Sequence, residues 1–237
     1  MKTTAGPVNL RDLGGLPVLG GGTSHPRVLY RGDALYPGDS TPQQVDTWPP
    51  AVVIDLRSDE EIDRVGYRWP PGPVVHRHSL FDAAAPEREI PNTLQEIYSA
   101  MVRDRGRRIA ETVALAAHAD GPVLVHCAVG KDRTGVVVAV LLLAAGVEPW
   151  AVTGDYLATQ RNLPLLRERL RSKADPNIER AQTRSPVARG LFTVSPDAIS
   201  EVVDIVTSWP GGPTGWLTDH GASRADIDLW RRRFTAQ

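Results

Sequence analysis

Pro122-Val123-Leu124-Val125-His126-Cys127-Ala128-Val129-Gly130-Lys131-Asp132-Arg133-Thr134-Gly135, running on into the apolar segment Val136 to Val147, is the stretch from which the fold is read. Val123 to Val125 is a short run set off by Gly121-Pro122, and a helix-length apolar segment follows Arg133, so the order is strand, tight loop, buried helix. Ala51-Val52-Val53-Ile54-Asp55-Leu56 is a second continuous apolar run, the pattern of a strand buried on both faces of a sheet that helices cover. An α/β fold is expected, with a central, largely parallel sheet flanked by helices. In such sheets ligands gather beyond the carboxyl ends of the strands, where Asp55 and Cys127 are both expected to emerge.

The loop between strand and helix opens onto a helix N-terminus. Peptide N–H groups there lack intrahelical partners and the helix dipole adds about half a positive charge, so an anion such as phosphate is favoured. Five residues separate Cys127 from Arg133, which lets the loop curl with the sulfur at its floor and a planar guanidinium at one side, gripping two oxygens of the anion. The amides of Ala128, Val129, Gly130, Lys131 and Arg133 complete the candidate cradle. Helix N-termini and nearby cations favour a thiolate, and Thr134 is placed to donate its hydroxyl hydrogen to the sulfur. A lone cysteine is more often a buried small hydrophobe than a nucleophile; His126 before it and Arg133-Thr134-Gly135 after it reverse that reading.

His126-Cys127 through Arg133-Thr134-Gly135 resembles the HCxxGxxRT signature loop of cysteine-dependent phosphatases, and its Gly-Lys-Asp-Arg-Thr-Gly version is similar to the bacterial protein tyrosine phosphatase B-like family. Asn9-Leu10-Arg11-Asp12-Leu13-Gly14-Gly15, Leu29-Tyr30-Arg31-Gly32-Asp33, Val53-Ile54-Asp55-Leu56-Arg57-Ser58 with Glu60, and Gly221-Ala222-Ser223 extend the likeness over nearly the whole chain. The resemblance implies one phosphatase domain over residues 1–237, with a mobile helical lid at 148–184, and hydrolysis of phosphomonoesters through a phosphocysteine without metal or cofactor. Phosphotyrosine proteins are the implied substrates; some members also act on phosphoserine, phosphothreonine and phosphoinositides. Asp132 matches the aspartate before arginine in myotubularin-like phosphoinositide phosphatases and is the first candidate for the general acid, with Asp82 its rival. Lys131 resembles the lysine at the mouth of phosphoinositide phosphatase loops, although Ala128 stands where 3-phosphatases often carry a basic residue. His126, Thr134 and Asp55 are supporting candidates. A phospho-binding module without turnover, a rhodanese-like sulfurtransferase and an inositol-polyphosphate phosphatase stay open as alternatives.

A net charge of −1 argues against a general nucleic-acid binder, so attraction to phosphate must be local. One cysteine excludes an internal disulfide and fits a reducing compartment. The start of the chain lacks the apolar core of a signal peptide, and the run from Val136 to Val147 is too short for a bilayer. A cytoplasmic protein is expected; secreted relatives without ordinary signal peptides leave its final address open, and oligomeric state is not legible.

Elsewhere, glycines around Leu16 to Leu19 predict a small hairpin, Val28 to Tyr30 a strand, Ser40-Thr41-Pro42 a short helix ending before Pro49-Pro50, and Val74 to Leu80 a half-buried strand. Arg11 and Asp12 read as turn-stabilising residues and Asp55 with Arg57 as either site residues or a pair fixing a strand end. His76 and His78 share a strand face, but no third ligand has metal-site spacing. Leu94 to Ala116 reads as one long or broken helix around Gly106. Helix starts stand at Pro149, Pro164, Ser195-Pro196 and Ser223, with a leucine stripe at Leu163, Leu166 and Leu170 and a loop from Trp209 to Gly215.

Overall fold

In a computed structural model, residues 6–80, 93–173 and 193–235 are described. Asp82 and positions 174–184 of the expected lid lie outside them.

Five strands form one sheet: β1 (Arg11–Asp12), β2 (Leu29–Gly32), β3 (Val52–Asp55), β4 (Val74–Arg77) and β5 (Val123–His126), in the order β1-β2-β5-β3-β4. β1 runs antiparallel to β2; the other pairings are parallel, as the unbroken apolar runs require. β2, β3 and β5 are wholly buried. In register, Gly32 and Asp55 both stand beside His126, so three parallel strands end together just before Cys127.

The helices are α1 (Asp59–Val65), α2 (Leu94–Asp104), α3 (Gly106–Ala117), α4 (Asp132–Ala144), α5 (Pro149–Leu157), α6 (Leu163–Lys173), α7 (Pro196–Thr207), α8 (Gly212–Asp219) and α9 (Arg224–Phe234). α4 is buried from Thr134 to Ala144, the mark of a helix surrounded by other elements. It packs on β5 and is enclosed by α2, α3, α5, α7, α8 and α9. It stops at Gly146, whose φ of 85° suits glycine, where Gly146 N–H donates to Leu143 O (3.0 Å) and Val147 N–H to Leu142 O (3.0 Å).

Three expectations are corrected. The strand at Val74 ends at Arg77 and is mostly exposed, because it forms the sheet's edge. No helix forms between Pro42 and Pro49; that segment bends, since so few residues do not recover the cost of a helical nucleus. The loop at Trp209 gives way to α8 from Gly212 onward. The long helix breaks at Arg105, separating α2 from α3, and the leucine stripe of α6 is buried.

Candidate active site

β5 delivers Cys127 to the carboxyl edge of the sheet, and α4 begins at Asp132, so the residues between them form the short connection from strand to helix read from the sequence. Cys127 is 2% exposed. Gly130 sits at φ 69°, and a Cβ there would lie 2.3 Å from Gly32 O. Only glycine lets the loop lie so close to β2.

The loop carbonyls are tied down on the outside. Ala128 O accepts from Ala34 N–H (3.1 Å), Val129 O from Asn9 Nδ2 (3.3 Å), and Gly130 O from both Asn9 Nδ2 (3.1 Å) and Arg31 Nη2 (2.9 Å). In a planar trans peptide the following N–H points opposite to the carbonyl. The N–H groups of Val129, Gly130 and Lys131 therefore turn away from these partners, toward the interior of the loop.

The groups that hold the carbonyls are themselves anchored. Buried Asp155 on α5 pairs with Arg31 and with Arg11 Nε (2.7 Å); burial alone would raise its carboxyl, but the two guanidinium groups hold it below the usual range. Asp33 accepts from the N–H groups of Asn9 (2.8 Å) and Val8 (3.0 Å), and burial pushes it up to about 6 against the pull of Arg169 and those amides. Arg11 is thus a strut to α5, while Asp12 is the turn-former, accepting from Gly14 N–H (2.9 Å) and Arg27 N–H (2.7 Å).

Arg133 is met end-on by Glu61 of α1, with Nη1 to Oε2 at 2.6 Å and Nη2 to Oε1 at 2.7 Å, and Nη1 also donates to Leu56 O (3.2 Å). These bonds use three of the five guanidinium N–H groups. Among the described residues Nε–H and one Nη2–H are left, and they share one edge of the plane, spaced for two oxygens of a tetrahedral anion. Burial works against the Arg133 charge, but Glu61 and the nearby Cys127 more than restore it.

Asp55 and Arg57 form the strand-end pair, Nε to Oδ1 at 2.9 Å and Nη2 to Oδ2 at 2.6 Å. Asp55 Oδ2 also lies 3.6 Å from His126 Nε2, beside the cysteine. Burial lowers His126, outweighing Asp55 and favouring a neutral imidazole; burial would raise Asp55, but His126 and Arg57 bring it down. Thr134 departs from expectation: its hydroxyl is buried and has no hydrogen-bond partner among the described residues, the sulfur included.

Lys131 is a correction too. Its side chain is fully buried instead of facing the mouth, and Nζ donates to Thr193 O (2.8 Å) and pairs with Asp132 Oδ1 (2.9 Å). The same Asp132 oxygen accepts from Tyr98 Oη at 2.7 Å. A cleft of about 480 Å³ opens beside the loop, lined by Ala128, Tyr36, Arg57, Glu61, Arg64 and, from α6, Leu170 and Lys173. α6 is bolted to its wall, since fully buried Arg169 pairs with Asp33 (3.1 Å) and with Asp39.

Glu61, Tyr156 and Asp155 went unread in the sequence, and Tyr98 reads there only as a core position of a helix. Only Glu61 carried a signal: Ser58-Asp59-Glu60-Glu61 is a capping box, formed by α1, and the carboxylate that caps the helix also holds Arg133.

A family model described as the tyrosine phosphatase family matches residues 2–236. The chain belongs to the tyrosine phosphatase family. It is 29% identical over 136 residues to the triple specificity protein phosphatase PtpB of Mycobacterium tuberculosis, a match covering 54% of this chain and 49% of that protein. It is 31% identical over 120 residues to a tyrosine-protein phosphatase of Nostoc commune, covering 50% of this chain and 41% of the relative. The matches thus span about half the length of these members of the family. Among the described residues no helix is long and apolar enough to cross a membrane.

Proposed function

We propose that the chain is a protein tyrosine phosphatase working through a phosphocysteine. The observation that carries this is Arg133, clamped end-on by Glu61 at the loop that opens with Cys127 and closes on the N-terminus of α4. Cys127 Sγ, as thiolate, attacks phosphorus in line; an S–P bond forms and the P–O bond to the leaving group breaks. The Nε–Nη2 edge of Arg133 and the inward amides of the loop bind the three equatorial oxygens as their charge redistributes. Asp132 gives its proton to the leaving oxygen, then takes one from the water that attacks the phosphocysteine. That second step releases inorganic phosphate and restores the thiolate.

His126, neutral and beside Asp55, supports the base of the loop. Asp82 is the rival acid. The reading includes one domain over 1–237, in which 148–184 covers the site; support comes from α6, whose Leu170 and Lys173 share the cleft with Ala128. The cations Arg57, Arg64 and Lys173 around that cleft suit anionic substrates, phosphotyrosine first, with phosphoserine, phosphothreonine and phosphoinositides as further classes.

Phosphate release from an aryl phosphate, a phosphotyrosine peptide and a phosphoinositide, with chelator present, tests the reading against Cys127→Ser. Turnover in the native chain and its loss in the variant are expected. Binding of the phosphopeptide with no release by the native chain would replace the enzyme by a binding module.

A further inference from the structure

The mechanism leaves unused a pair of buried phenols. Tyr98 on α2 is 0% exposed and Tyr156 on α5 is 1% exposed, and their rings meet edge-on with centroids 6.0 Å apart. Their hydroxyls lie 2.9 Å apart, Tyr98 Oη lies 2.7 Å from Asp132 Oδ1, and Ser195 N–H donates to Tyr156 Oη at 3.4 Å. Each hydroxyl has a single proton to give. An ionised Asp132 can only accept, so Tyr98 must spend its proton on the carboxylate, and its oxygen must accept from Tyr156. The direction of the chain follows: Ser195 N–H to Tyr156, Tyr156 to Tyr98, Tyr98 to Asp132. Burial, reinforced by the charge of Asp132, pushes Tyr98 well above its ordinary range, which keeps it a donor throughout turnover.

We infer that Tyr98, backed by Tyr156, is a positioning residue that orients Asp132 for proton transfer. The inference rests on Asp132 being the acid. Tyr98 and Lys131 both reach Oδ1. That oxygen can accept both bonds whether the group is a carboxylate or a neutral acid, so Oδ2 is the one that carries the moving proton. Tyr98 reaches Asp132 from a different helix and holds the carboxylate rotamer against rotation about Cβ–Cγ. Among the described residues, the titratable and charged groups that face Asp132 are Lys131 and Arg133 of the loop, Tyr98 from α2 and Tyr156 from α5.

The test compares Tyr98→Phe, Tyr156→Phe, Asp132→Asn and the double variant Tyr98→Phe/Asp132→Asn on phenyl phosphate, whose leaving oxygen needs a proton, and on p-nitrophenyl phosphate, whose leaving oxygen does not. Tyr98→Phe is expected to lower kcat/KM, which reports the step that breaks the ester bond and not the later hydrolysis shared by both esters, about tenfold on phenyl phosphate and less than threefold on p-nitrophenyl phosphate. It should also raise the limb of the pH profile that Asp132→Asn abolishes, because one donor to the charged form is gone. Tyr156→Phe should show the same pattern with a smaller loss, and Tyr98→Phe should cost nothing further beside Asp132→Asn. Equal losses on both esters, or losses that multiply in the double variant, would make Tyr98 a packing residue and overturn the inference alone. Asp132→Asn with full turnover of phenyl phosphate would remove the acid assignment and the inference with it.

Discussion

Gly130→Ala puts the packing of the loop against β2 to a quantitative test. The new Cβ would stand 2.3 Å from Gly32 O, 2.5 Å from Gly32 C and 2.8 Å from Asp33 N, all backbone atoms of a buried strand end. Ordinary contact needs about 1 Å more than the closest of these distances, since gaps under about 3.4 Å are already tight for carbon packing. The left-handed φ of 69° adds roughly 1–2 kcal/mol for a residue with a side chain. Forcing the extra carbon into a packed site costs about 1–3 kcal/mol. Together these give about 2–5 kcal/mol, and at roughly 2–4 °C per kcal/mol for a chain of this size, a fall in Tm of about 4–20 °C is expected. If the loop yields instead of the strand, the amides of Val129 to Lys131 move by a comparable ångström, a displacement that costs on the order of a hundredfold in rate. Thermal unfolding and kcat/KM on an aryl phosphate would be measured on the same preparation. A variant within threefold of native activity and 2 °C of native Tm would refute the claim that Gly130 is pinned against Gly32.

Glu61→Gln removes the charge that orients Arg133 but keeps the side chain's size; losing a charge-assisted bond of about 1.5–3 kcal/mol should lower kcat/KM by about 10- to 150-fold, and steady-state kinetics with unchanged rates would show that Leu56 O suffices to hold the guanidinium. Asp155, held low by Arg31 and Arg11, contributes stability that is complete above the ordinary carboxylate value of about 4 and lost as the pH falls through its lower folded value, so denaturant midpoints should drop in acid and Asp155→Asn should flatten that limb. Asp33 has the opposite sign: raised to about 6 by burial, it costs stability as the pH climbs from about 4 through 6, and Asp33→Asn should remove that decline in the same titration.

The loop from Cys127 to Arg133 was legible because its information is local. A strand, five intervening residues and a helix N-terminus impose their geometry on one another within a short stretch, and the continuous apolar runs at Val52 and Val123 announced a parallel sheet. The same locality explains the helix starts at Pro149, Ser195 and Ser223, each written by residues within one turn. The errors came where neighbours in space decide. Val74 to Leu80 alternates like a half-buried strand, yet its place at the sheet's edge leaves Val74 and Val75 exposed. Lys131 reads as a cation at the mouth, yet the carbonyl of Thr193 and the carboxylate of Asp132 draw it inward.

By itself the sequence determined the class of fold and the strand, loop and helix that carry Cys127 and Arg133, because strand, turn and helix signals act over a few residues. Tertiary structure alone decided what surrounds them. Glu61 lies 72 positions from Arg133, Tyr98 lies 34 from Asp132 and Asp155 lies 124 from Arg31. Hydrogen bonds reach about 3 Å whatever the separation along the chain, so which distant side chains orient the loop follows from how the helices pack around α4, and no local pattern encodes it.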